Sequence, residues 1–124
     1  MVAVIVDQKN TKMTTNYQLM RICKDIPHFR GIYMRNSIPK KPLHKECAIV
    51  NLVDKNGDGT HWVAYKKRGN KITYFNSFGD LKPPKEMLKY FGRKAVITYN
   101  KRRYQSFNSN KCGILCWKFL KNML

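Results

Sequence analysis

Residues 110–124 of the sequence read NKCGILCWKFLKNML, and this stretch is the most informative about the fold. Asn110 can cap a helix from Cys112 to about Leu124, because an Asn side chain accepts hydrogen bonds from the free N–H groups of a first turn. The helix is apolar on most sides through Ile114, Leu115, Trp117, Phe119 and Leu120. A helix that is apolar all round is usually buried. The stretch therefore predicts a central, buried helix that begins at a cysteine.

The N-terminal third predicts one further helix. Apolar side chains share one face of a helix over about residues 17–26, and residues 14–16 offer an N-cap. Pro27 is expected to stop this helix, because proline removes a backbone donor. The stretch 28–45 contains three Gly or Pro residues and is predicted to be irregular. Residues 1–13 alternate too little to assign and are predicted to be a loose or strand-forming arm.

The middle of the chain predicts a small sheet. Short apolar or β-branched runs bounded by turn residues are typical of strands. We expect strands at residues 47–53, 61–65, 72–75 and 95–99, a turn at 54–59, a hairpin break at Gly69-Asn70, and a helix that starts at Pro83-Pro84. The order of helix, mainly antiparallel meander and core helix predicts a single α+β domain over residues 1–124.

The charge of the chain is strongly positive. Twenty-five Lys and Arg face seven Asp and Glu, which gives a net charge of +18 with His neutral. Such a field repels itself unless a polyanion shares the compartment, and Lys and Arg that neutralise phosphates release counterions. The charge predicts a nucleic-acid partner, while an ordinary solvated surface remains the alternative.

The cysteines and the hydrophobic pattern limit the location and the metal chemistry. No run of apolar residues is long enough to span a membrane, and the first six residues are too short for a signal peptide. Four cysteines in a chain without a secretory signal are expected to be free thiols. No C-x-x-C pair exists, so a zinc site is not expected. The chain is predicted to be intracellular, monomeric and free of membrane contacts.

Cys112 is the candidate nucleophile. A cysteine in the first turn of a helix meets free N–H groups and the positive end of the helix dipole, and both favour the thiolate. The following Gly113 has no side chain to obstruct an approaching carbonyl group. A buried core cysteine is the alternative at this position.

His61 and Asn76 are the candidate base and its orienting group. His61 begins a predicted strand after a Gly-rich turn, so its side chain is expected at the sheet edge. Asn76 ends the next strand and could hold the imidazole through its Nδ1–H group. By itself, Asn76 could equally be an ordinary turn residue.

Gln105 lies seven residues before Cys112 in a polar loop. Its amide could join the Cys112 backbone N–H in binding an oxyanion. A lone Gln in a loop is uninformative, so this role depends on the pattern as a whole.

The order His, Asn, Gln, Cys resembles the adenovirus-type cysteine endopeptidases, which have relatives in other DNA viruses and virus-like transposons and more distant ones among SUMO-deconjugating enzymes. The resemblance spans about residues 15–122 and is carried by Gly59-Thr60-His61-Trp62, Tyr74-Phe75-Asn76-Ser77-Phe78-Gly79, Gln105 and Lys111-Cys112-Gly113-Ile114-Leu115-Cys116. It implies a papain-like architecture in permuted order, with the nucleophile last. The catalytic set it implies is His61, Asn76, Gln105 and Cys112, and its expected substrate-binding residues are Asn51, Trp62 and Gly113.

The resemblance also implies a function. Members of this group cleave after glycine, in Gly-Gly or Gly-x-Gly contexts, and process viral structural precursors on DNA. We therefore expect a protein or polyprotein substrate, and a location in the virion and the host nucleus or another DNA-containing compartment. No cofactor or metal is expected to be required, although stimulation by DNA fits the charge. A peptide activator tethered by a disulfide is not expected, because residues 95–99 contain no cysteine.

One departure and two alternatives stand beside this interpretation. Asn76 occupies a position that is Asp or Glu in this group, so weaker activity is expected. The chain could instead be an isopeptidase that removes a ubiquitin-like modifier. It could also be a catalytically weak, basic nucleic-acid-binding module.

Overall fold

A five-stranded sheet forms the centre of the computed structural model, which describes residues 16–52, 61–104 and 111–124. In chain order the strands are β1 (Phe29–Met34), β2 (Lys45–Asn51), β3 (Trp62–Arg68), β4 (Lys71–Phe75) and β5 (Val96–Tyr99). They lie side by side in the order of the sequence. The two central pairings, β2–β3 and β3–β4, are antiparallel, and the outer pairings, β1–β2 and β4–β5, are parallel.

In the described part of the chain, three helices cover the sheet: α1 (Asn16–Cys23), α2 (Lys85–Phe91) and α3 (Cys112–Leu120). Alternate residues of a strand point to opposite faces, and two separate core clusters follow this alternation. Cys47, Ile49, Trp62 and Ala64 pack with α1 and α3 on one face. Ala48, Val50, Val63 and Tyr65 pack with α2 on the other. The result is an α+β domain with helices on both faces of a mixed sheet.

Helix α3 is buried, as its sequence predicts. Its buried residues are Cys112, Gly113, Ile114, Cys116, Trp117 and Leu120. It ends at Leu120, earlier than the expected Leu124. Asn122 takes the left-handed conformation (φ 60°), and the Met123 N–H reaches back to the Lys118 carbonyl at 2.8 Å. This closed C-cap satisfies the last carbonyl groups and terminates the helix.

Strand β1 corrects the prediction that residues 28–45 are irregular. It lies at the edge of the sheet and is mostly half-buried, so it lacks a clear hydrophobic alternation. Its pairing with β2 is interrupted between Phe29 and Ile32, where Gly31 has a φ of 141°. A glycine bulge of this kind hides a strand from periodicity arguments.

Helix α1 ends at Cys23, four residues before the proline that was expected to stop it. The Ile26 N–H then bonds the Cys23 carbonyl in a turn. Several sequence predictions lie outside the described residues. They are the N-terminal arm and first N-cap within residues 1–15, the turn at 54–59, the oxyanion donor Gln105 and the N-cap Asn110.

The parallel pairings correct the prediction of a mainly antiparallel meander. The chain leaves β4, forms α2 and returns with β5 beside β4, which is a crossover connection. The expected hairpin between β3 and β4 is present: Gly69 has a φ of 60° at the first turn position, a conformation that glycine adopts without strain. None of the described helices has the length and hydropathy that crossing a bilayer requires.

Candidate active site

The start of β3 meets the start of α3. The backbone N–H of Trp62 donates a hydrogen bond to Cys112 Sγ at 3.4 Å. His61 precedes Trp62 directly, and consecutive Cα atoms are only about 3.8 Å apart. The fold therefore brings the candidate base and the candidate nucleophile, 51 positions apart in the sequence, to the same end of the sheet.

Asn76 holds the His61 ring from the neighbouring strand. Its Oδ1 lies 3.0 Å from His61 Nε2. An amide oxygen only accepts hydrogen bonds, so Nε2 carries the proton and Nδ1 is the basic nitrogen. Among the described residues, no group forms a hydrogen bond with the buried His61 Nδ1. The sequence-based expectation that Asn76 binds Nδ1–H is wrong: Asn76 binds Nε2–H, and Nδ1 is left to accept a proton.

Phe78 is a contact of His61 that the sequence did not reveal. The two rings stack with centroids 4.2 Å apart and an angle of 4° between their planes. The Phe78 N–H also donates to Asn76 Oδ1 at 3.0 Å. Phe78 thus restrains the imidazole plane and, through its backbone, the amide that orients it. Its place in an aromatic strand end was visible in the sequence, but its stacking partner was not.

Asn100, just after β5, fixes the backbone of Asn76. Its Oδ1 accepts a hydrogen bond from the Asn76 N–H at 2.9 Å, and its Nδ2 donates to the Asn76 carbonyl at 2.7 Å. Nδ2 donates as well to the Arg102 carbonyl at 2.9 Å. Asn100 is therefore a positioning residue, because it acts on His61 only through Asn76.

The turn after β4 is held against the segment after β5 by further backbone contacts. The Asp80 N–H bonds the Asn100 carbonyl at 2.8 Å, and the Tyr104 N–H bonds the Ser77 carbonyl at 2.7 Å. Gly79 sits between them with a φ of 81°, and a Cβ atom there would lie 2.7 Å from the Arg102 carbonyl carbon and oxygen. Only glycine allows this close approach.

Gly113 has a packing role that differs from the expected one. A Cβ atom at this position would lie 2.8 Å from Trp62 Cε3 and 3.2 Å from Leu19 Cδ1. The missing side chain thus makes room for the Trp62 ring, which is 2% exposed. Trp62 and Asn51 are opposite each other at the end of the β2–β3 ladder. Contact of these three residues with a substrate stays a prediction.

The Cys112 thiol is covered in this structure, with 1% of the residue exposed. Burial raises the pKa of the Cys112 thiol above its usual value of 9.0, and hydrogen bonds from the backbone N–H groups of Trp62, Gly113 and Cys112 itself oppose this. Removal from water disfavours the charged form of an acid. The pKa of the thiol is therefore raised, and not lowered as its place at the helix terminus predicted, because desolvation outweighs those donors.

The same burial acts on His61 in the opposite direction. It lowers the pKa of the imidazole below its usual value of 6.5, and the hydrogen bond with Asn76 only partly offsets this. A raised thiol pKa and a lowered imidazole pKa both favour the neutral pair. At neutral pH Cys112 is therefore a thiol and His61 a neutral imidazole.

The other three cysteines are structural. All four are free thiols, and burial raises the pKa of Cys23 to about 12 and that of Cys47 to about 11. Cys116 is fully buried, and its Sγ donates to the Trp62 carbonyl at 3.3 Å. Burial also raises the pKa of Cys116. Among the residues that the structure describes, no three His, Cys, Asp or Glu side chains form a group that could hold a metal ion.

Helix, sheet and site together define the cysteine-protease class of fold, in which a thiol opens a buried helix and an imidazole comes from the sheet. The solved structures agree. The crystal structure of the ASFV pS273R protease superposes with a TM-score of 0.54 and 21% identity, covering 91% of this chain and 59% of the protease. A selenomethionine form of that protease superposes with a TM-score of 0.54 and 19% identity, covering 91% of this chain and 60% of the protease.

These comparisons show a viral cysteine-protease fold. The chain spans about three-fifths of the length of the protease that it matches. No protein-family model matches the sequence, and a search of curated protein sequences finds no match.

Proposed function

We propose that the protein is a cysteine endopeptidase of the adenovirus-protease type, with Cys112 as nucleophile and His61 as base. The observation that carries the proposal is that Asn76 contacts the His61 ring while the next residue along the chain, Trp62, contacts the Cys112 sulfur. Asn76 Oδ1 lies 3.0 Å from His61 Nε2, and the residue after His61 donates to Cys112 Sγ at 3.4 Å. The similarity to the fold of the ASFV pS273R protease supports it.

The mechanism follows from the tautomer of His61. As Cys112 Sγ attacks the peptide carbonyl carbon, its proton passes to His61 Nδ1, and the C=O electron pair becomes an oxyanion. Gln105 and the backbone N–H of Cys112 are the proposed donors to that oxyanion. The imidazolium then protonates the leaving amine as the C–N bond breaks, which leaves a thioester. Water attacks the thioester carbon and gives one proton to Nδ1, the C–S bond breaks, and the imidazolium returns that proton to the sulfur. The carboxylic acid product leaves and loses its proton to solvent.

Asn76 provides an uncharged partner to this imidazolium. A carboxylate there would stabilise the protonated ring, but an amide contributes only a hydrogen bond and orientation. The neutral resting pair fits this choice, because the site does not have to hold an imidazolium before the substrate arrives. We propose cleavage after glycine, with viral structural precursors as the substrates.

The test is a covalent probe that ends in glycine and carries a thiol-reactive electrophile. Mass spectrometry is expected to show one adduct, on Cys112, which is lost in Cys112→Ala and slowed strongly in His61→Ala. Gln105→Ala is expected to lower kcat by about 10²–10³ without unfolding the protein, as for other single oxyanion donors. Normal turnover in Cys112→Ala would end the proposal.

A substrate panel separates the endopeptidase from its alternatives. A Gly-x-Gly peptide should be cleaved faster than a conjugate of a ubiquitin-like modifier, and the reverse order would identify an isopeptidase. No adduct and no cleavage in a folded, nucleic-acid-binding protein would identify a non-catalytic module.

A further inference from the structure

Three cations stand in register across three neighbouring strands at the far end of the sheet from Cys112. Lys45 of β2 pairs directly with Arg68 of β3, and Arg68 pairs directly with Lys71 of β4. Direct partners in a ladder project from the same face of the sheet, with strands about 4.8 Å apart. We call Lys45, Arg68 and Lys71 the basic row; it is about 10 Å long.

Among the described residues, no ion pair compensates the charge repulsion within the basic row. Like charges directly opposite each other in a sheet are destabilising. The three ion pairs among the described residues use Glu46, Glu86 and Asp80, and none of these acids contacts the basic row. Glu46 lies next to Lys45 but points to the opposite face, where Tyr65 and Tyr90 donate to it. All three cations of the row are exposed.

A cleft adjoins the basic row on the same face. Its volume is about 360 Å³, and its lining includes Lys45, Lys66 and Arg68, together with His28 and Asn122. Asn122 bonds the Lys66 ammonium group, which also lies 4.6 Å from the Phe119 ring. Lys66 is therefore held at the mouth of the cleft, two residues from Arg68. A polyanion placed here would meet four cations on one face.

We propose that the basic row and its cleft bind the phosphodiester backbone of a single-stranded nucleic acid. Charge complementarity selects a polyanion, because each phosphate neutralised by Lys or Arg releases counterions. The basic row extends beyond the cleft to Lys71, which is not part of the cleft lining. A compact polyphosphate in the cleft would leave Lys71 unpaired, so the arrangement favours an extended polyanion.

The proposed site is separate from the active site. Cys112 contacts Trp62 at the first residue of β3, and Arg68 is the last residue of the same strand. Seven strand residues span about 20 Å. Nucleic acid bound at the row would therefore leave the Cys112 sulfur uncovered, and the proposal does not rest on proteolysis.

The test compares two triple variants by fluorescence anisotropy with a labelled single-stranded DNA oligonucleotide. The row variant is Lys45→Gln, Arg68→Gln and Lys71→Gln. The matched control is Lys82→Gln, Lys85→Gln and Lys89→Gln, which removes the same charge from exposed positions elsewhere. The row variant is expected to reduce the slope of log Kd against log salt by about 2, since each phosphate contact contributes about 0.7. The control should change the slope much less.

Two results would overturn the proposal. An equal loss in both variants would show that the charge attracts nucleic acid without a defined site. Inorganic tripolyphosphate that displaces the oligonucleotide equally well at equal phosphate concentration would show that the site takes compact polyphosphates. Cys112→Ala is expected to bind the oligonucleotide normally, which separates this result from the outcome for catalysis.

Discussion

Asn100 brackets the backbone of Asn76, accepting from its N–H at 2.9 Å and donating to its carbonyl at 2.7 Å. Since Asn76 in turn contacts the His61 ring, Asn100 acts on the position of that ring through Asn76. This relationship gives the sharpest test of how the site is assembled.

Asn100→Ala is expected to lower kcat by roughly ten- to a hundred-fold, because small displacements of a base are costly in the transition state. KM should change little, since Asn100 acts on the base through Asn76. Steady-state kinetics on a glycine-containing peptide measures both. The control is Asn36→Ala at an exposed position, which should leave both constants unchanged. A larger effect on KM than on kcat would contradict a positioning role.

The protonation state of the resting pair gives a second prediction. Because burial raises the thiol pKa above 9.0 and lowers the imidazole pKa below 6.5, little thiolate should exist at neutral pH. Alkylation of Cys112 by iodoacetamide, which requires the thiolate, should be slow near pH 7 and rise steeply above pH 9. The rate is followed by mass spectrometry in Cys23→Ser and the parent protein, so that modification of other thiols is recognised.

Catalysis should depend on pH in a different range. His61 must be neutral to accept the thiol proton, so kcat/KM should rise with pH through the depressed imidazole pKa, below 6.5. Activity that is high at pH 7 while alkylation remains slow would establish proton transfer during attack. Fast alkylation at pH 6 would instead reveal a preformed thiolate–imidazolium pair and contradict the neutral one.

Gly113→Ala tests the packing beneath the nucleophile. The added methyl would meet Trp62 Cε3 at 2.8 Å, which a buried ring cannot avoid without moving. Overpacking of a tight core costs about 1–3 kcal/mol in free energy of unfolding. Urea denaturation measures this loss, with Lys118→Ala on the same helix as control. An unchanged stability together with weaker substrate binding would favour the substrate-facing role expected from the sequence.

The hydrophobic pattern predicted the helices and strands β2 to β5 but not the edge strand β1. Strands β2, β3 and β4 have strongly apolar residues because both of their faces are covered by helices. Strand β1 is an edge with a glycine bulge, and its six residues carry no such pattern. The parallel return of β5 depends on how α2 packs, which local periodicity does not encode.

The sequence allowed candidate site residues to be chosen only from their order along the chain and their side-chain chemistry. The structure joins His61 to Asn76 and places Trp62, the residue after His61, against Cys112, while Gln105 lies outside the described residues. The catalytic roles of these residues stay predictions. Asn100 and the ring contact of Phe78 arise from segments that are distant in sequence and meet only after folding. The raised pKa of Cys112 and the lowered pKa of His61 could not be predicted, because both result from burial. A sequence shows that a cysteine begins a helix, but it does not show how deeply the side chain is buried.

Asn76→Asp tests the departure from the acidic residue expected at this position. A carboxylate 3.0 Å from Nε2 would favour the imidazolium, so the pKa of His61 should rise. The sign then follows: the acid limb of kcat/KM moves to higher pH, and alkylation of Cys112 near pH 7 becomes faster as an ion pair forms. Asn70→Asp in the exposed hairpin turn is the control for added charge. An unmoved acid limb would show that Asn76 does not govern the imidazole.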